Sequence, residues 1–254
     1  MDEGRLNREK EYHDQRYQGA QDPRSRLSKF YAITRHNIRY FEALVLELCA
    51  GADLLEYGCG KNSRAELWGR AKARVVGIDL SEAAITATRR AAAEKKLTAN
   101  FLVMDAEDMD FPAASFDVVA GTGILHHLDL DRAGRELSRV LRSDGHAIFI
   151  EPLGHNLAIN MFRKLTPAAR TSDEHPLLMR DIKKLRNYFA KVEKKHFHFL
   201  TILAIPFQRL PFFNALLNLL HGVDSILMFL LPFLKRYSWI VVLDLSQPKK
   251  GPAG

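Results

Sequence analysis

The stretch Leu54-Leu55-Glu56-Tyr57-Gly58-Cys59-Gly60-Lys61-Asn62 constrains this chain more than any other. An apolar run ends in an acid, and two glycines follow one residue apart. This reads as a buried strand breaking into a tight turn, where a ligand must come close to bare backbone. A second apolar run, Val75-Val76-Gly77-Ile78, ends in Asp79, about twenty residues on, where a strand-end acid can hydrogen-bond a ribose hydroxyl. Together the two runs point to an adenosine-containing ligand on an α/β sheet. Lys61, Asn62 and Ser63 follow Gly60, so the third glycine that admits a pyrophosphate is missing.

From residue 52 onward apolar runs alternate with amphipathic segments. Strands are expected over 52–57, 74–79, 100–104, 115–120 and 145–150, and helices over 63–70, 82–95 and 130–142. Ser81 is the expected N-cap of the second helix, with Ala84, Ile85, Thr88 and Ala92 facing inward. Alternation of this kind implies parallel strands in a doubly wound sheet. Before it, residues 1–26 predict a polar helix and loop, and 27–50 a helix that Gly51 stops. After Glu151-Pro152 the pattern changes to helix signals and a basic amphipathic stretch, then to β-rich runs over 196–205 and 239–245. Between those two runs lies the apolar segment Phe212 to Leu234. The expected organisation is a helical cap (1–50), a ligand-binding core (51–152) and substrate-side helices with the last two strands (153–254).

With 254 residues and 47% hydrophobic composition, the chain can bury a sizeable core. Its two cysteines, Cys49 and Cys59, have no metal-ligand spacing and fit a reducing, cytoplasmic setting. No metal is expected. The N-terminus is polar, without a signal-peptide stretch. No unbroken apolar run approaches the ~18 residues of a spanning helix. The net charge of +7 fits ordinary surface charge, anionic partners or a membrane surface. No basic motif interleaved with aromatics points to nucleic acid.

Further acids and histidines follow the later strands. Asp105, after Phe101-Leu102-Val103-Met104, would lie beside Asp79 on the ligand edge and accept from an adenine amine, with Leu80, Met104 and Ala106 around the ring. Asp105 could equally cap a short helix. Gly121 would let a ligand lie against backbone. Of the pair His126-His127, His127 is the first candidate for a general base and His126 the second, because imidazole titrates near neutrality; a structural role is open for each.

The set Glu56-x-Gly58-x-Gly60, Asp79, Asp105, Phe116-Asp117-Val118-Val119, Leu125-His126-His127-Leu128 and Leu141-Arg142-x-x-Gly145 resembles class I S-adenosylmethionine-dependent methyltransferases. The likeness covers residues 50–152 and is nearest the branch acting on small molecules and lipid quinones. It implies a Rossmann-like sheet of seven strands, six parallel and one antiparallel, with a helical insertion before the last strand. It also implies that the glycine turn (Glu56, Gly58, Cys59, Gly60) cradles the methionine part, that Asp79 binds ribose, and that Asp105 and Ala106 read adenine. The chain departs from the family at Asn62, where a third small residue is usual. From the sequence, the helix expected near Asn62 would receive the cofactor carboxylate.

On the acceptor side, Glu151 and His155 leave the fifth strand on the binding edge, and Tyr31 and His175 are further candidates. For Phe207–Leu234 three readings stay open: a helical pair lining a pocket for a hydrophobic acceptor, shallow bilayer contact, or packing on the sheet or in a homodimer. The expected reaction is methyl transfer, O-methylation first, to a small or lipid-like acceptor. The rivals are a protein that binds the cofactor without turnover and a nicotinamide-dependent oxidoreductase.

Overall fold

Seven strands form one sheet in the order β3-β2-β1-β4-β5-β7-β6. The computed structural model describes residues 3–18, 32–166 and 175–249. The strands are β1 (Asp53–Tyr57), β2 (Arg74–Asp79), β3 (Ala99–Val103), β4 (Phe116–Thr122), β5 (Leu141–Pro152), β6 (Phe189–Phe197) and β7 (Ile240–Pro248). β7 runs antiparallel to both β5 and β6, and the other pairs are parallel. The helices are α1 (Glu3–Gln18), α2 (Arg35–Leu48), α3 (Ala65–Arg70), α4 (Glu82–Glu94), α5 (Leu130–Val140), α6 (Leu157–Leu165), α7 (Met179–Lys184) and α8 (Phe213–Leu230). The helices expected over 63–70, 82–95 and 130–142 are α3, α4 and α5, shortened at their ends. The five central strands lie within a few residues of their expected spans, except that β5 starts four residues early.

Helix α4 shows why the local sequence folds this way. The Ser81 hydroxyl accepts from the Ala84 N–H at 3.1 Å, and the buried face is Ala84, Ile85, Thr88 and Ala92. Asp129 caps α5, accepting from Asp131 and Arg132 N–H at 2.9 and 3.1 Å. The central strands are buried on both faces between two apolar layers. One contains Phe41, Trp68, Ile85 and Phe101, the other Tyr57, Leu125, Leu137 and Phe149. Burying these faces is the main term favouring the fold.

The chain switches direction along the sheet between β1 and β4. The crevice outside their carboxyl ends is where open α/β sheets take ligands. Tyr57, ending β1, is level with Ile78 and Gly121, and Asp79 is level with Val103. Thr122 and Ile150 are level, Pro152 pairs with Ile240, and Ile240 pairs with Phe197. One edge therefore carries the ends of β1, β2, β4, β5 and β6 and the start of β7.

Three expectations need correction. The β-rich run 196–205 is not a strand: β6 ends at Phe197, and His198 takes a left-handed φ of 65° that breaks the ladder. Residues Thr201–Phe207 then coil as a 3-10 helix containing Pro206. The helix expected from residue 27 is described from Arg35, and its buried residues are Asn37, Phe41 and Val45. Residues 212–234 hold one long helix, α8, followed by a 3-10 turn, Pro232–Tyr237. α8 is 18 residues long with mean hydropathy 1.4, and only 22% of it is buried. By length and composition it could cross a membrane, which counting unbroken apolar runs had missed because Asn214, Asn218, His221 and Asp224 interrupt them.

A polar network ties α8 and the His198 turn to α2. Asp224 accepts from the N–H groups of Phe199, Leu200 and Thr201 at 3.0, 2.6 and 3.3 Å, and from the Thr201 hydroxyl at 3.2 Å. His198 Nδ1 lies 3.0 Å from that hydroxyl, and the Asn37 amide, nitrogen inward, donates to His198 Nε2 at 2.7 Å. His198 is therefore neutral, and burial lowers its pKa to about 3. Beside it His36 stacks on His221, centroids 4.1 Å apart. Burial, and then the neighbouring imidazole, lowers His36 to about 4, and burial also lowers His221.

Because these folded-state values lie below the ordinary histidine value of about 6.5, the unfolded chain takes up protons first as pH falls. The cluster's contribution is complete above about pH 6.5 and is lost progressively toward pH 4. Chemical denaturation from pH 8 to 4 should show this decline, and His36→Asn with His221→Asn should flatten it. An unaltered slope in the double variant would remove the cluster as its cause.

Candidate active site

The glycine turn is built as its sequence predicts. Gly58 and Gly60 have φ of 69° and 54°, open to glycine at little cost. A Cβ on Gly58 would lie 2.8 Å from the Ile124 side chain. The Cys59 N–H donates to the Ile78 carbonyl at 2.9 Å, stitching the turn to β2. The Cys59 side chain points into the core, and burial pushes its thiol pKa far up. Cys59 therefore borders the turn through its backbone.

Glu56 anchors the turn from below. It accepts from the Arg64 N–H at 2.7 Å and from the Ser63 hydroxyl. Burial raises its pKa to about 7 against the pull of those donors. The expected helix start at Asn62 is also corrected: α3 begins at Ala65, and its first free N–H groups are already taken by Glu56 and by the Ser63 hydroxyl. A guanidinium stands nearby. Arg64 spans from Glu42 (3.3 Å) to the Thr122 hydroxyl at the end of β4 (3.2 Å), across the Phe41 ring.

Asp79 and Asp105 stand half-buried at the ends of neighbouring strands. Asp79 accepts from the Gly60 N–H through Oδ2 (2.8 Å) and from the Ser81 N–H through Oδ1 (2.9 Å). Asp105 accepts from the Glu107 N–H at 2.8 Å, the local capping role open in its sequence. The Tyr57 hydroxyl holds the Ala106 carbonyl at 2.5 Å. Leu80 and Met104 are partly buried beside these acids. Gly121 serves the sheet: a Cβ there would lie 2.6 Å from the Phe149 ring, so the vacant side-chain position is filled by protein rather than left for a ligand.

The two histidines differ. His126 Nδ1 lies 2.7 Å from Glu151 Oε2, both side chains buried. Glu151 Oε1 accepts from the Ile124 and Leu125 N–H groups at 2.9 and 2.8 Å, which fixes the carboxylate. His127 Nδ1 faces Glu9 Oε2 of α1 at 3.2 Å, and its carbonyl accepts from Arg5 at 2.5 Å. His155 Nε2 accepts from the Met179 N–H at 3.2 Å, and burial lowers its pKa, as suits a neutral acceptor. The His175 N–H lies 3.5 Å from the His126 carbonyl. Tyr31 lies outside the described residues. The structure thus gathers Glu56, Asp79, Asp105, His126, His127 and Glu151 on one edge.

Sequence reasoning missed how α1 closes over that edge. Arg5 pairs with Glu107, which Arg132 also faces at 3.3 Å. Asp14 accepts from the Ser81 hydroxyl at the α4 cap. A polar helix far from the motifs gives no local signal for such contacts. A basic residue within a few positions of a glycine turn, like Arg64, is a signal that could have been used.

Among known proteins, residues 55–149 match the family described as a methyltransferase domain. The nocamycin O-methyltransferase of Saccharothrix syringae is 41% identical over 101 residues, 37% of this chain and 36% of that protein. A probable S-adenosylmethionine-dependent methyltransferase of Mycolicibacterium smegmatis is 33% identical over 116 residues, 45% of this chain and 43% of that protein. The chain thus spans less than half the length of these curated relatives. The fold is shared with geranyl diphosphate C-methyltransferase of Streptomyces coelicolor, at a TM-score of 0.57 and 15% identity over 81% of this chain and 79% of that one. The matched domain decides against a nicotinamide-dependent oxidoreductase. Residues 55–149 thus form a core that matches the methyltransferase domain, set in a seven-stranded sheet with its antiparallel strand next to last.

Proposed function

We propose that the chain is a cytoplasmic enzyme that transfers a methyl group from S-adenosylmethionine to a hydroxyl of a small, hydrophobic acceptor. The observation that carries this reading is the meeting, on one sheet edge, of the left-handed Gly58–Gly60 turn with Asp79 and Asp105. In it, Asp79 holds the ribose hydroxyls, Asp105 and Ala106 border the adenine, and Leu80 and Met104 flank it. Arg64, spanning Glu42 and Thr122 beside the turn, takes the cofactor carboxylate. The cofactor supplies an already activated methyl, so the protein's part is to place an acceptor oxygen in line and remove its proton.

For that proton His126 is the better base, in place of the initial preference for His127. With Nδ1 donating to the buried Glu151, Nε2 is the basic nitrogen, and imidazolium formed there is stabilised by the carboxylate. Glu151 is thus a positioning residue, and His127, facing Glu9, holds α1 against the edge. The apolar segment 198–239 leaves and re-enters the sheet at this same edge, which supports a hydrophobic acceptor.

Calorimetric titration with S-adenosylmethionine and S-adenosylhomocysteine tests the cofactor, and a labelled-methyl screen of phenols, alcohols and lipid extracts tests the acceptor. Binding with no transfer to any acceptor would favour a binding protein without turnover. Asp79→Ala should weaken cofactor affinity by more than about tenfold, the scale of one or two charge-assisted hydrogen bonds. Asp79→Asn, which keeps one acceptor for the turn, should lose less, and equal affinity in all three proteins would sink the ribose assignment.

Arg64→Ala should weaken both sulfur nucleotides by about tenfold but leave adenosine unchanged, because only the former carry the carboxylate. A matching loss for adenosine would show that Arg64 merely supports the turn. His126→Ala should lower turnover by about a hundredfold or more with cofactor affinity nearly intact. Glu151→Gln should lower it less and shift the pH profile. Unchanged turnover in His126→Ala would leave transfer without a histidine base.

A further inference from the structure

Among the described residues, the same sheet edge exposes a run of large apolar side chains. Helix α6 follows β5 there, and Leu157, Met161 and Leu165, spaced four apart on one face, are 80%, 65% and 75% exposed. Helix α8 exposes Ile226, Phe229 and Leu230, and Phe233 continues the patch in the following turn. A surface this apolar is rare on a free-standing protein and marks an interaction site.

Charge identifies the partner. Residues 198–239 contain one acid, Asp224, and it is buried under the His198 turn. Their cations, Arg209, Lys235 and Arg236, are all exposed. Residues 153–166 contain no acid, and Lys164 is exposed beside the α6 stripe. An exposed apolar face with cations and no accessible carboxylate is complementary to the interface of an anionic lipid bilayer. It is not complementary to another basic copy of this chain.

The geometry points to in-plane docking of α6 and α8 on an anionic bilayer. Although α8 is long enough to span, it does not leave the protein. Leu217, Asp224 and Met228 are buried on one face, Arg35 donates to Asn214 at 2.6 Å and also to Asn218, and Asp224 holds three backbone N–H groups. The helix is held by one face along its length and can give only the other to lipid. Resting on the methyl-transfer reading above, this placement turns the catalytic edge toward the bilayer, where a lipid-dissolved acceptor would enter.

Co-sedimentation of the full chain with phosphatidylcholine vesicles, with and without 30% phosphatidylglycerol (about 30%, enough to set a negative surface potential), tests the proposal. Binding should need the anionic lipid and fall in high salt. Phe229→Glu with Leu230→Glu, both exposed positions, should reduce it by about tenfold or more. Lys235→Glu with Arg236→Glu should remove the preference for anionic lipid. S-adenosylhomocysteine affinity and a thermal melt, measured on each variant without vesicles, report the fold and the cofactor reading separately. Absence of vesicle binding, binding that the Phe229/Leu230 variant retains, or a dimer that this variant splits would each overturn the proposal.

Discussion

Satisfying backbone N–H groups where β1 breaks off is the constraint on which the rest of this structure depends. A turn with two left-handed residues cannot pair its amides as a helix or strand does, and buried amides without partners are costly. Two strand-end acids meet the demand. Glu56 binds the amide leading into α3, and Asp79 binds the Gly60 amide across from β2. The arrangement fixes the glycine turn against its neighbour strand. It also sets a half-buried carboxylate on the edge, already oriented by two backbone amides. The groups that hold the fold and those assigned to the cofactor are therefore partly the same atoms.

That overlap explains what was legible beforehand. Ser81, Asp129 and the inner face of α4 act through neighbours within a turn of sequence, so pattern and capping chemistry located them. The glycine turn and both acids were legible because strand ends in a parallel sheet are forced onto one edge. Other features depend on partners far away in sequence. Glu9 and Arg5 reach His127 from over a hundred residues off, Phe149 fills the space beside Gly121, and Asp224 binds a turn about two dozen residues upstream of it. No local periodicity encodes those meetings. The turn after β6 misled for another reason. Its apolar and β-branched residues read as strand, but a left-handed His198 with a buried network outweighs propensity.

The antiparallel β7 has a consequence beyond completing the sheet. Because β7 runs opposite to β5 and β6, it enters the sheet at the edge where they leave. Residues 153–188 and 198–239 both depart from that edge, so elaborations there surround the crevice instead of the far side of the sheet. The opposite edge carries a compact ion-pair set, Arg142 with Asp53 and Asp117, and Arg74 with Asp53. Half-exposed pairs of this kind contribute little individually. The division leaves one edge to close the sheet and the other to vary.

A thin catalytic apparatus follows from this layout. The methyl group needs an acceptor held in line and, for a hydroxyl, one base. For the base proposed above, Glu151 is the support, with one oxygen fixed by two backbone amides and the other by His126. A carboxylate so held cannot swing to other partners, so the imidazole it orients has one tautomer and one direction. His127 lacks such a support: its partner Glu9 sits on α1, a separate helix that must itself be docked by Arg5 and Asp14. In the proposed reaction, the base sits on the turn after β4 and the covering helix on its neighbour, which separates proton transfer from closure. On that reading, variation in the cover or in the apolar insertion changes which acceptor enters without disturbing the group proposed to take its proton.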